Sequence, residues 1–211
     1  MKLIQKGFLK RNRKIIIISI LIMLISAVAG CAISSMYGDE AHKGKVTEGL
    51  FNVAQNKTGN VSGTEDISVN PLELFVHNLT ADLIAIVLGL VFSIFSVLLT
   101  VFNGFSIGSI FGMDLTFACV SVLPHAIIEY LAGALALAAA FIITKLEIKA
   151  IKNRDIRGTL DESKVELNDL LTLIIIIVVL LAVAAVIEGW ITPIIVKSFF
   201  GLKKIVNMWI S

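Results

Sequence analysis

The residues best suited to chemistry are few. His125 and Glu129 stand four positions apart, the spacing that puts two side chains on one face of a helix a single turn apart. Glu188, Asp82 and Asp114 are further acids inside or at the ends of long apolar runs, and Asn78 and Asn103 are amides in the same setting. A neutral imidazole with two carboxylates matches the ligand chemistry of a divalent metal such as zinc, which places His125, Glu129 and Glu188 as candidate metal ligands. The same groups are also able to pass protons. A third use is structural: neutral polar side chains that lock helices together inside a membrane contribute about 0.6 kcal/mol per hydrogen bond on average. His-x-x-x-Glu alone does not choose among these three, and Glu188 strengthens the pattern without deciding it.

The elements that must position these residues follow from composition. The chain has 211 residues, of which 57% are hydrophobic and 16% charged, and its mean hydropathy is +0.92. Soluble domains carry about 45–50% apolar residues and about 25% charge, and a chain this short cannot hide such an excess in a core. The excess must face lipid, which excludes a soluble enzyme and a disordered chain. A formal net charge of +2 excludes a basic nucleic-acid binder. Cys31 and Cys119 are too few for a disulfide framework and lack metal-ligand spacing.

A helix crossing about 30 Å of hydrocarbon needs roughly 20 apolar residues. The pattern predicts an all-α, polytopic bundle forming a single integral membrane domain with about five spans. Residues 15–36 form the first span, behind a run of Lys2, Lys6, Lys10, Arg11, Arg13 and Lys14 that holds this end in the cytoplasm. A lipoprotein-type signal ending at Cys31 is the rival reading, but apolar character continues past it to Met36. Residues 37–73 form a polar outer loop with two paper glycosylation acceptors, at 56–58 and 60–62. Residues 74–102 form the second span, ending at Asn103-Gly104, and 104–122 a third span or a re-entrant segment. Pro124 opens the fourth span, 125–144. A second basic cluster marks 145–169 as a cytoplasmic loop, 170–187 is the fifth span, and 189–211 is read as an interfacial tail in preference to a sixth span.

Against this topology all eighteen Lys and Arg residues lie outside the spans. A charge near the bilayer centre costs at least about 2.5–3.5 kcal/mol, so each intramembrane acid must be neutral, reach an interface, sit in a wet cavity or meet a cation. The topology brings His125 and Glu129, Glu188, and Asn78 with Asp82 to the outer level of three different spans. Their convergence, with Asn103 as a further member, is the principal expectation. Asp114 marks either a break between two half-helices or a turn. Gly104, Gly108 and Gly112 recur at i, i+4 and i+8, a stripe that lets helices approach closely.

These residues also carry a family resemblance. Pro124-His125-Ala126-Ile127-Ile128-Glu129 resembles the Pro-His-Gly-x-x-Glu signature of the stage II sporulation protein M family of integral membrane proteins. Asn78 before a long apolar span, Asn103-Gly104 with Gly108, and Glu188-Gly189-Trp190-Ile191-Thr192-Pro193 are similar to that family's other elements, in the same order. Ala126 departs from the family's glycine. The resemblance implies a multi-pass protein of the cell membrane. For the family's namesake it implies a septal anchor for peptidoglycan-degrading partners, a role that does not transfer to relatives in organisms without spores. It brings no catalytic assignment.

The leading expectation is therefore a non-enzymatic membrane scaffold or assembly subunit. Its partners would be the lipid bilayer and other envelope proteins, with helix association either within one chain or in a homo-oligomer, and no nucleic acid. A cation or proton transporter or channel component using the intramembrane acids is the first alternative. A metal-binding protein or enzyme is the second, with a divalent metal as the only cofactor the residues suggest.

Overall fold

The computed structural model describes residues 7–37 and 70–199. All regular structure among them is helical. Five stretches are long and apolar enough to cross a membrane: Phe8–Tyr37, Pro71–Leu90, Ile94–Met113, Leu115–Asn153 and Lys164–Phe199. The expected outer loop beyond Tyr37, including both glycosylation acceptors, and the tail beyond Phe199 lie outside the described residues.

Helix α1 is Phe8–Tyr37 and α2 is Pro71–Val87. The Asn70 side chain caps α2 by accepting from the Leu72 amide at 3.0 Å, with Pro71 in the first turn where its missing N–H costs nothing. A 3-10 turn, Leu88–Leu90, extends α2. The chain then reverses through Phe92 and Ser93, both in the left-handed region at φ 51° and 55°, into α3, Ile94–Met113.

This reversal corrects the expected boundary. The second span ends near Leu90 and not at Asn103-Gly104, and the third is Ile94–Met113 rather than 104–122. Asn-Gly reads as a turn signal, but Gly104 is needed for close helix packing. The actual turn carries no Gly or Pro and is held by tertiary contacts instead. Ser93 Oγ meets Thr144 Oγ1 at 2.6 Å, and Thr144 Oγ1 donates to the Gly89 carbonyl at 2.9 Å. A Cβ on Gly89 would press within 2.8 Å of Ala140 Cα.

Asp114 is the N-cap of the next segment, its Oδ1 accepting from the Phe117 amide at 2.8 Å. A helical turn, Leu115–Phe117, and a π-helical turn, Ala118–Val122, lead without a break into α4, Leu123–Asn153. Pro124 therefore lies within a continuous helical stretch and does not open a span from a loop. Its ring displaces the carbonyl four residues back, and the wider π turn just before it accommodates the strain.

After α4 come a short α5, Ile156–Glu162, and α6, Lys164–Val186. A second π turn, Ile187–Ile191, follows, and the helix resumes through Thr192 and Pro193. The helical path thus continues beyond the predicted end of the fifth span. Proline again sits just past a π turn, so both motif segments share one backbone device.

Helix α4 is the axis of the bundle and packs against α1, α2, α3 and α6. Ala132, Ala134 and Ala136 to Ala140, interrupted by Leu137, are almost completely buried. Their small side chains let four helices approach one rod, as close packing between membrane helices requires. Helices α1 and α3 run parallel along the glycine stripe. A Cβ on Gly108 would overlap the Ala27 carbonyl, one on Gly112 that of Cys31, and one on Gly30 that of Phe105. The stripe is a packing seam.

Candidate functional site

The site is assembled at the end of the bundle opposite the basic 145–169 segment, which is not the expected loop but the end of α4, α5 and the start of α6. Helix α2 supplies Asn78 and Asp82, one turn apart. Helix α4 supplies His125 and Glu129 in its first two turns, and the π turn after α6 supplies Glu188. A π turn rotates the residues after it relative to a regular helix, and such turns recur at functional sites. Here one precedes His125 and the other carries Glu188.

His125, Glu129 and Glu188 each bring one ligand-type atom to within 4.8 Å of the others. His125 Nε2 lies 4.0 Å from Glu188 Oε1, beyond a hydrogen bond. His125 Nδ1 faces Thr192 Oγ1 at 3.5 Å. The Asn78 Nδ2 amide donates to Glu129 Oε1. His125 is buried, whereas Glu129 and Glu188 are half-buried.

Beneath this triad lies a polar cavity of about 80 Å³ with Asn78, Asp82, Asn103, Glu129 and Tyr130 in its walls. Asp82 is only 9% exposed, and its Oδ2 has no hydrogen-bond partner among the described residues. A water needs only about 10–15 Å³ of such space, so the cavity is large enough for several. The six residues of the expected cluster therefore divide in two. His125, Glu129 and Glu188 form the triad, with Asn78 bonded to Glu129. Asp82 and Asn103 line the cavity below, with Asn78 and Glu129 common to both.

Two further members carry little signal in residue chemistry alone. Thr192 follows Glu188 by one helical turn and reaches the imidazole. Its only sequence signal is its place in the Glu-x-x-x-Thr-Pro element. Tyr130 donates its hydroxyl to the Gly104 carbonyl at 3.0 Å, tying the cavity wall to α3. An aromatic residue next to Glu129 in an apolar run offers no cue. Ala126, where the family pattern has glycine, lines a separate apolar cavity of about 550 Å³ between α1, α3 and α4. Its methyl group faces packing and not the polar cluster.

A third polar assembly has no counterpart among the sequence expectations. Near the opposite end, Asp169 accepts from Arg11 Nε at 2.9 Å, Arg11 Nη2 at 2.6 Å and Asn12 Nδ2 at 2.7 Å. Along the chain, Arg11 is an orientation signal and Asp169 one acid of a mixed-charge loop. Only the folding of α1 and α6 against their common neighbour α4 brings them together.

Four apolar helices around an alanine-rich fifth, with ionisable groups gathered inside one end, define a polytopic α-helical membrane protein. Residues 19–193 match the family Stage II sporulation protein M. This stretch covers most of the chain and contains every element of the site, so the chain belongs to that family. No curated protein and no solved structure matches it.

Proposed function

We propose that this member of the family is a non-enzymatic scaffold or assembly subunit of the cell membrane, holding other envelope proteins. The observation that supports this reading is the way one polar cluster ties three segments distant in sequence. Asn78 of α2 bonds Glu129 of α4, and His125 of α4 faces both Thr192 and Glu188 beyond α6. A fixed arrangement of helices at one membrane level is what a docking platform needs.

The test is affinity purification from native membranes after mild cross-linking, with wild type, His125→Ala and Glu129→Ala compared. Envelope proteins are expected to copurify with wild type, and each variant is expected to lower thermal stability or partner retention. Normal stability together with normal retention in both variants contradicts the proposal.

A further inference from the structure

We infer that His125, Glu129 and Glu188 form a binding site for a first-row divalent cation with affinity for mixed nitrogen and oxygen ligands, Zn²⁺ being the representative ion. This goes beyond the assembly role and does not depend on it.

The inference starts from spacing. A tetrahedral zinc ion with ligand bonds of about 2.0–2.2 Å needs its ligand atoms about 3.4 Å apart. The three candidate atoms lie within 4.8 Å of one another, and His125 Nε2 and Glu188 Oε1 are 4.0 Å apart. That separation is too long for the two groups to bond each other. That pair needs about 0.6 Å of closure around an ion of that bond length, and the widest pair of the three up to about 1.4 Å, within reach of side-chain rotation.

Supporting contacts point the same way. When the Thr192 hydroxyl accepts from His125 Nδ1–H, the lone pair of Nε2 is left facing Glu188. A partner on the far ring nitrogen is the usual means of fixing a histidine ligand's tautomer and orientation. Asn78 occupies one oxygen of Glu129 and leaves the other to coordinate, as the outer hydrogen-bond partners of carboxylate ligands do.

An independent observation comes from Asp82. Its carboxyl is nine-tenths buried and has an unpartnered oxygen in the cavity that Glu129 also lines. A buried carboxyl is unfavourable as an anion unless a cation lies close by, and an ion held by the triad would supply one. Imidazole with carboxylates favours a borderline ion over Mg²⁺ or Ca²⁺, which take oxygen ligands.

The protein, purified in detergent without chelator, would be incubated with Zn²⁺, desalted and analysed for metal by mass spectrometry. About one zinc per chain is expected for wild type, falling to background in Glu188→Gln and His125→Gln. Asn78→Ala is expected to weaken binding by roughly 10–100-fold. Substitution with Co²⁺ gives a readout on wild type alone, in which visible absorption bands of a four-coordinate nitrogen–oxygen site are expected. Those bands keep the proposal testable if a variant fails to fold. Absence of both stoichiometric zinc and the cobalt bands in wild type overturns the inference, as does undiminished zinc in folded Glu188→Gln.

Discussion

Two polar assemblies at opposite ends of the bundle use the same kinds of residue to different effect. At the basic end, Asp169 is 2% exposed and receives three donors from Arg11 and Asn12 at 2.6–2.9 Å. Charge is matched and the guanidinium is engaged through two nitrogens, the strong and geometrically specific form of an ion pair. At the other end, Asn78 bonds Glu129, while the imidazole meets its neighbours only at longer distances. His125 is 4.0 Å from Glu188 and 3.5 Å from Thr192, with a further acid, Asp82, buried below. The first assembly is closed and joins α1 to α6 by itself. On the metal proposal, the second has the spacing of a site that closes around an ion.

The contrast is broken most severely at Asp169. Asp169→Asn removes the charge from a buried acceptor and takes from Arg11 the carboxylate that engages two of its nitrogens. Loss of one partner of a buried pair costs about 3–5 kcal/mol, and the lower figure applies here because Arg11 reaches solvent. A fall of about 3 kcal/mol in unfolding free energy, measured in detergent, is expected, with zinc uptake unchanged.

Gly108→Val tests whether helix packing can be separated from both polar ends. Its side chain has no space against Ala27, and overpacking costs about 1–3 kcal/mol. Lower stability at constant zinc stoichiometry is expected. Loss of zinc with the seam disrupted would show that the two features are coupled.

The smallest effect carries the most informative sign. Asp82→Asn makes the same chemical change as Asp169→Asn, but at a carboxylate with an unpartnered oxygen. An uncompensated buried charge is unfavourable, so in metal-free protein at alkaline pH, where the carboxyl is driven to ionise, the unfolding midpoint is expected to rise. A fall comparable to that of Asp169→Asn would make the two ends equivalent and remove the distinction.

Much of this molecule is legible in its sequence, for physical reasons that differ by residue. Lipid as a solvent demands long apolar helices, so their number and class follow from composition. The i, i+4 spacing by itself puts His125 and Glu129 on one helix face. Glu188 joins them because an acid at the end of an apolar run has few permitted neighbours. The turn at Phe92-Ser93 is not legible, because tertiary contacts to Thr144 hold it without Gly or Pro. The π turns at Ala118–Val122 and Ile187–Ile191 are hidden too, although Pro124 and Pro193 stand just beyond them. Pro124 reads as the start of a helix, and both prolines are instead accommodated inside one. The Arg11–Asp169 pair lies 158 residues apart in the chain, with nothing local to connect its members.

Zinc-dependent stability measures the difference between the two ends most directly. An ion that binds only the folded state stabilises it by about 2.7 kcal/mol at one hundred times its dissociation constant. Thermal unfolding in detergent across a Zn²⁺ titration should show that rise for wild type and an equal rise, from a lower baseline, for Asp169→Asn. Glu188→Gln should show none. A flat wild-type response, or the same rise in Glu188→Gln, contradicts the account.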